Sequence, residues 1–378
     1  MTKSTTDTLS TSVLIREGAQ AAPVECDPRS AASTPDARPT ARRRHYRFAG
    51  GVCTRTPLYA YQAVGVVRVA RALRASKSFG LLDACGLGKT IQSLYAMADL
   101  KAQGVVDKII VVCKCDLIRN WKQEAQAHVP WLRVCVLRGK SSRERKWSED
   151  ADLYLINYEL LAVGAKGRTR DGLSVRSPFR SGTLRLGVDA TRMRAVLRRW
   201  QCGIVLDESH KIKSMDAQTT KVLCALGPLA RARLILTGTL AAEGPEDVWS
   251  QIHFLDGGAT FGRSFRAFRD YYMITDQRVL HLRGGTRRVV YKVLGYKNLN
   301  GLREKLGRIT LRREKSGVLG LPPKILKRRY VTASSSQLAL LRAIRDRIVV
   351  TVKGTHGEYV NVQRGSNLMQ ELQALQQQ

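Results

Sequence analysis

An α/β fold built on a parallel sheet is predicted by three features of the chain. Apolar runs too short for helices recur at 109–113, 132–137, 153–156, 203–206 and 234–236, and helical patterns such as 117–128 and 217–226 stand between most of them. A further apolar run, at 79–82, breaks into a glycine turn that closes on Gly88-Lys89-Thr90. Two adjacent carboxylates, Asp207-Glu208, follow the 203–206 run directly. Alternating strands and helices imply right-handed crossovers, and such sheets collect ligands at the carboxyl ends of their strands.

Composition bounds the rest. With 378 residues, 44% of them apolar, the chain has room for two or three domains with sizeable cores. A formal charge of +33 and a pI near 10.4 predict a polyanionic partner. No apolar run approaches the ~18 residues of a membrane span, and the first twenty residues lack the apolar core of a secretion signal. The expectation is an intracellular protein, cytoplasmic or nucleoid-associated, without a membrane partner. The eight cysteines contain no C-x-x-C pair and several lie in apolar runs, so they read as reduced, buried small hydrophobes without zinc.

Taken in order, residues 1–44 are rich in Ser, Thr, Ala and Pro and end in Arg42-Arg43-Arg44, which predicts a disordered tail with a basic end. Gln62, in a helical pattern, offers an amide that can bond both the donor and the acceptor edge of adenine. The stretch Asp83, Ala84, Cys85, Gly86, Leu87, Gly88, Lys89, Thr90 has the form of a phosphate cradle, with Asp83 where the strict pattern has its first glycine. In such a loop backbone N–H groups face the β-phosphate, the lysine reaches the β- and γ-oxygens, and the threonine hydroxyl ligates Mg²⁺. The N-terminus of the following helix adds its own positive end.

At the second strand end Asp207 is suited to hold Mg²⁺, and Glu208 to orient the water that attacks a γ-phosphate. Leu236-Thr237-Gly238-Thr239 adds a third polar tip to the same rim.

These motifs, collinear over roughly 46–324, resemble the first RecA-like lobe of the Swi/Snf family of superfamily-two DNA translocases. The matching residues are Gln62, the loop from Asp83 to Thr90, Lys114 with Asn120-Trp121, Asn157-Tyr158-Glu159, Asp207-Glu208-Ser209-His210, Leu236 to Leu240, Arg312-Arg313 and Leu321-Pro322-Pro323-Lys324. The resemblance implies a helicase-type ATPase that binds ATP, Mg²⁺ and the phosphate backbone of DNA. Lys89, Asp207, Glu208 and His210 carry its catalysis. Ser209, His210, Thr237, Gly238 and Thr239 couple nucleotide to DNA, and Lys114 and Trp121 lie near the DNA track.

Departures from the family pattern stand at Ala84, Cys85 and Leu240, none of them a phosphate, metal or water ligand. A larger departure follows Tyr330, where no Q-x-x-G-R-x-x-R segment appears, so the arginine-bearing second lobe is expected from an adjoining or separate chain. The domain reading is a tail at 1–44, an ATP-binding lobe at 45–330 with insertions at 163–200 and 256–298, and a helical connector at 331–378. Two other functions share these residues: a non-hydrolysing, nucleotide-gated DNA-binding module, and the motor of an RNA helicase or restriction system.

The charge is concentrated. Residues 163–200 hold ten basic against two acidic residues, and 278–329 hold sixteen against two. The first stretch reads as a loop, the second as a β-hairpin turning at Gly284-Gly285 and presenting Arg283, Arg287 and Arg288 to phosphates.

Overall fold

Seven parallel strands form the centre of the molecule. This computed structural model describes residues 43–139, 141, 144–162, 173–179, 181–281 and 287–319, with short stretches at 24–25 and 338. In chain order the strands are β1 (Ser78–Leu81), β2 (Lys108–Cys113), β3 (Val134–Val136), β4 (Leu153–Asn157), β5 (Cys202–Asp207) and β6 (Ala232–Leu236). A hairpin of β7 (Met273–His281) and β8 (Arg287–Tyr296) then precedes the last sheet strand, β9 (Thr310–Leu311). The sheet order is β9-β1-β6-β5-β2-β4-β3, with every neighbouring pair parallel. Between β1 and β2 the chain skips two positions that β5 and β6 fill later. The carboxyl ends of β1, β6, β5 and β2 therefore share one rim at the point where the winding reverses, where such sheets bind ligands.

The central strands are mostly apolar because both faces are covered. In β2, Ile110 and Val112 enter one core while Ile109, Val111 and Cys113 enter the other; in β4, Tyr154 and Ile156 alternate with Leu153 and Leu155 in the same way. One face is covered by α1 (Ala60–Ser76), α2 (Lys89–Ala102) and α3 (Ile118–His128). The apolar spacing of Ala63, Val66, Val69 and Leu73 turns one stripe of α1 inward. On the other face lie α4 (Tyr158–Ala162), α5 (Val188–Arg199), α6 (Gln218–Leu226), α7 (Glu246–Asp256) and α8 (Phe265–Tyr272).

The expected loop at 163–200 is corrected over much of its length. Ser174–Arg176 and Thr183–Arg185 pair antiparallel, and α5 follows them. Ala190, Met193 and Leu197 give α5 a buried stripe that the surrounding arginines obscure in the sequence. Within the expected tail, Arg43–Arg44 pairs with Leu58–Tyr59 and Val24–Glu25 with Tyr46–Arg47, so backbone pairing reaches into it. The Arg43 guanidinium lies 4.4 Å over the Tyr59 ring. The cysteines divide: Cys113, Cys202 and Cys224 are buried, whereas Cys85 and Cys115 are exposed.

The basic hairpin is longer than its turn suggests, pairing antiparallel from Met273 opposite Tyr296 to His281 opposite Arg287 with a shift of register between Ile274 and Thr275. Its base is anchored by the aromatic rings of Phe261, Phe268 and Tyr272, whose centroids lie 4.8 to 5.8 Å apart. The turn with Arg283 falls outside the described residues, as do the expected connector at 331–378, apart from 338, and most of the tail. After α9 (Leu299–Ile309) the chain re-enters the sheet beside β1. A side chain at Gly80 would put its Cβ 2.8 Å from Thr310 Cγ2, so that glycine admits the edge strand. Among the described residues no helix is long and apolar enough to cross a membrane.

Candidate functional site

The glycine turn leaves β1 and delivers the chain into α2. Gly86 and Gly88 take left-handed backbone angles, φ +85° and +76°, that a residue with a side chain adopts at a cost. Gly88 is also crowded, since a Cβ there would lie 2.5 Å from Gln62 Nε2. No side chain caps the first turn of α2 and no acidic residue lies in it, so its N–H groups face the turn with their partial positive charge. Lys89 Nζ donates across the turn to the Asp83 carbonyl at 2.8 Å. Thr90 stands half-buried at the second position of the helix, Cys85 is exposed, and Leu87 is fully buried beneath the turn.

Asp83 contributes that carbonyl, but its carboxylate is occupied elsewhere. The Arg313 guanidinium grips it at both oxygens, Nε to Oδ1 at 3.0 Å and Nη2 to Oδ2 at 2.5 Å. Gln92 Nε2 donates to Oδ2 at 3.2 Å, and Arg313 also donates to Gln92 Oε1 and the Tyr61 carbonyl. With Asp83 wholly buried, this planar two-point pairing is what allows a carboxylate to stay inside the fold. Gly65 on α1 makes room for it: a Cβ there would lie 1.9 Å from Gln92 Oε1. The sequence shows Arg313 only as part of a signature, 230 positions from its partner. Gln62 is similarly engaged, donating to the Leu87 carbonyl at 3.3 Å and accepting from the Tyr59 N–H at 3.1 Å, which leaves one amide proton and one lone pair for a base.

Two strands away, Asp207 ends β5 and Glu208 turns the chain with φ 52° and ψ 55°, a left-handed conformation rare for a residue with a side chain. Asp207 Oδ2 accepts from Trp121 Nε1–H at 2.8 Å and Oδ1 from the Glu208 N–H at 3.0 Å. Tyr158 O–H donates to the Asp207 carbonyl at 2.8 Å, fixing the strand end from the α4 side. Burial pushes the Asp207 carboxyl up, and the Glu208 charge adds to this; the Trp121 bond and the Lys89 ammonium pull it back. Lys89 and Asp207, 118 positions apart, stand on the same carboxyl-end rim of the sheet. His210 Nδ1 lies 3.3 Å from Glu208 Oε2. Burial lowers the His210 pKa, with the charges of Lys114, Lys211 and Lys213 adding to the effect and Glu208 opposing it.

Trp121 requires a correction. With 1% of its surface exposed the ring lies in the core and cannot touch DNA; its N–H instead holds the Asp207 carboxylate from α3. Lys114 remains half-buried at the end of β2.

The third tip leans on the first, since a Cβ at Gly238 would lie 3.0 Å from Cys85 Sγ. Thr237 is buried and its Oγ1 accepts the Thr239 N–H at 3.1 Å. Gln251, on α7, joins the acidic motif to this tip: its Oε1 accepts from Ser209 Oγ at 2.7 Å and its Nε2 donates to the Leu240 carbonyl at 2.8 Å. Sequence reasoning missed Gln251, although a polar pair, Ser250-Gln251, inside the apolar stretch 248–255 was a visible signal. Arg287 and Arg288 lie on β8, at its end nearest the turn.

The arrangement can hold an anion over α2, and Thr90 and Asp207 bring a hydroxyl and a carboxylate of the kind a hard cation takes to the same rim. Mg²⁺ suits two protein oxygens completed by water and phosphate, and among the described residues there is no cluster of three acidic, His or Cys side chains that could hold a metal unaided.

A parallel sheet with this loop on its first strand is a RecA-like P-loop lobe. Residues 61–378 match the family model of the SNF2-related domain, and the chain belongs to that family. It is similar to mouse (Mus musculus) DNA excision repair protein ERCC-6-like, 26% identical over 274 residues that span 69% of this chain and 19% of that protein. It is 27% identical to the Arabidopsis thaliana CHD3-type chromatin-remodeling factor PICKLE over 77% of this chain and 19% of that one. The chain thus spans about a fifth of the length of these relatives. Its fold is like that of the Sulfolobus solfataricus SWI2/SNF2 ATPase core in complex with dsDNA, with a TM-score of 0.51 and 22% identity over 86% of this chain and 58% of that one.

Proposed function

We propose that this chain is the ATP-binding lobe of a DNA-stimulated ATPase that translocates on or remodels double-stranded DNA, hydrolysing ATP when a second RecA-like lobe completes the site. The observation that carries this reading is that the glycine turn after β1, which leads into Lys89 and the uncapped start of α2, and Asp207 at the end of β5 stand on the same carboxyl-end rim of one parallel sheet. In this reading the loop N–H groups from Gly86 to Thr90 and the Lys89 ammonium bind the β- and γ-phosphates, and the remaining amide proton and lone pair of Gln62 meet adenine. Thr90 Oγ1 and Asp207 would hold Mg²⁺, which would supply positive charge to stabilise the transferring phosphoryl group. Glu208, aimed by its left-handed backbone, orients water for in-line attack and takes up its proton. His210 beside Glu208, and the Ser209–Gln251–Leu240 chain, tie that carboxylate to the Thr237–Thr239 tip and carry the nucleotide state toward DNA.

DNA binding is supported by the charge of the chain and by the basic hairpin. Arg283, Arg287, Arg288 and Lys114 are assigned to backbone phosphates, which a motor must grip and release at every sequence. The test is ATP turnover by residues 1–378 combined with a second lobe, with and without duplex DNA or RNA. Stimulation by duplex DNA and its loss in Lys89→Ala support the reading. ATP binding without turnover in the combined protein would instead support a nucleotide-gated binding module, and stimulation by RNA alone would move it to the RNA helicases.

A further inference from the structure

The segment leaving β9 carries three basic residues in four positions, and their fates differ. Arg312 Nη2 lies 2.8 Å from Glu314 Oε1, and Arg313 is held by Asp83. Lys315 has no carboxylate partner among the described residues, and its Nζ lies 3.4 Å from the position a Cβ on Gly86 would take. This placement follows from the backbone. The Leu82 N–H donates to the Leu311 carbonyl at 2.7 Å and the Ala84 N–H to the Arg313 carbonyl at 3.0 Å, so the segment runs strapped to the glycine turn. Gly317 N–H to the Glu314 carbonyl at 3.1 Å and Leu319 N–H to the Lys315 carbonyl at 2.9 Å then fix a helical turn that begins at Lys315.

We propose that Lys315 is a second cationic contact for the terminal phosphates of the nucleotide, supplied to the loop from the far end of the lobe. This rests on the reading of the loop as an ATP site. An ammonium on a four-carbon stem is a mobile point charge suited to phosphate oxygens. With Arg312 and Arg313 neutralised by carboxylates, Lys315 is the residue of that segment left to face an anion.

The test uses the chain of residues 1–378, with the affinity for ATP and Mg²⁺ measured by calorimetry for the wild type, Lys315→Ala, Lys315→Glu, Lys315→Arg and Lys89→Ala. Lys315→Ala should weaken binding on the order of tenfold, as expected for loss of one charge-assisted contact. Lys315→Glu should weaken it further and Lys315→Arg should restore most of it. The ligand-free melting temperature should stay the same, because the side chain is exposed. Wild-type ATP affinity in Lys315→Ala, with binding lost in Lys89→Ala, would overturn the role of Lys315 and leave the loop reading standing. Wild-type affinity in Lys89→Ala would overturn the loop reading itself. A fall in ligand-free stability matching the loss of affinity would also overturn the proposal, by making Lys315 a structural residue.

Discussion

Trp121 Nε1 donates to Asp207 Oδ2 at 2.8 Å, joining the helix after β2 to the carboxylate at the end of β5. Both groups are buried, so this N–H does for Asp207 what water does for an exposed carboxylate. Trp121→Phe keeps an aromatic ring and removes the donor, leaving a buried acceptor short of one partner. Stability should fall by about 1–3 kcal/mol. If the chain hydrolyses ATP as proposed once combined with a second lobe, half-maximal turnover should require more Mg²⁺, because the carboxylate would no longer be held in one orientation. Denaturant unfolding and a Mg²⁺ titration of ATPase rate check the two parts, and a loss of stability with an unchanged Mg²⁺ requirement would confine Trp121 to packing.

The Arg313–Asp83 pair makes a separate claim about what fixes the loop. Arg313→Met leaves Asp83 buried and unpaired, a change that costs about 3–5 kcal/mol in comparable pairs. Asp83→Asn together with Arg313→Met should cost less than the two single changes added, since neither charge is then stranded. Additive losses in that cycle would mean that the two residues act independently.

Acid should weaken the fold partly through His253, buried on α7 with its ring stacked 4.8 Å from that of Trp249. Burial lowers its pKa, so the folded state favours the neutral ring. The unfolded chain therefore binds more protons once pH falls below the ordinary histidine value of about 6.5, and stability drops from there down to the folded pKa. His253→Phe keeps the stacking shape without the titration. Its stability relative to the wild type should improve as pH goes from 7 to 5, which urea unfolding at each pH would register; a constant difference would remove His253 from the acid response.

The sheet was legible because strands buried on both faces read as short unbroken apolar runs, and the loop because Gly88-Lys89-Thr90 requires glycine geometry at fixed spacing. What stayed hidden depends on residues far apart in sequence. Arg313 and Asp83 meet only because β9 docks beside β1, and neither residue type announces the other. The family resemblance sets Trp121 near the DNA track, but a motif match does not say which way an indole on α3 faces, and here it faces Asp207. The stripe of α5 is obscured because four arginines are interspersed among its apolar residues. Motifs set by local backbone geometry can be read from sequence, whereas tertiary partners chosen by topology cannot.

The hairpin yields a prediction about salt. If the proposed DNA complex neutralises ~6–10 phosphates, affinity should fall by about 10³–10⁵ between 50 and 200 mM salt. Changing Arg283, Arg287 and Arg288 to Gln should flatten that dependence by about the number of contacts removed, with little effect on sequence preference. The hairpin also exposes Val289, Tyr291 and Leu294, so the same variant should retain the salt-independent part of its binding. An unchanged slope would return the arginines to ordinary solvated surface.

The last prediction concerns how much of the reaction this lobe can perform alone. Phosphoryl transfer depends on positioning and on positive charge at the γ-phosphate, and an arginine finger contributes ~10³–10⁵ in rate. In the proposed reading Lys89, Thr90, Asp207 and Glu208 would provide the cradle, the metal oxygens and the water-orienting carboxylate. Arg313, the arginine that reaches the loop, is bound to Asp83 and cannot swing to a phosphate without stranding a buried charge. Residues 1–378 as a purified monomer should therefore bind ATP and turn it over close to background. Adding a second lobe with its arginines should raise turnover by about 10³-fold or more and make it depend on duplex DNA. Glu208→Gln in the combined protein should remove that gain while ATP stays bound. Rapid DNA-stimulated hydrolysis by 1–378 alone would contradict this, and would direct the search for the missing cation to an arginine of this chain, beginning with the 163–200 insertion.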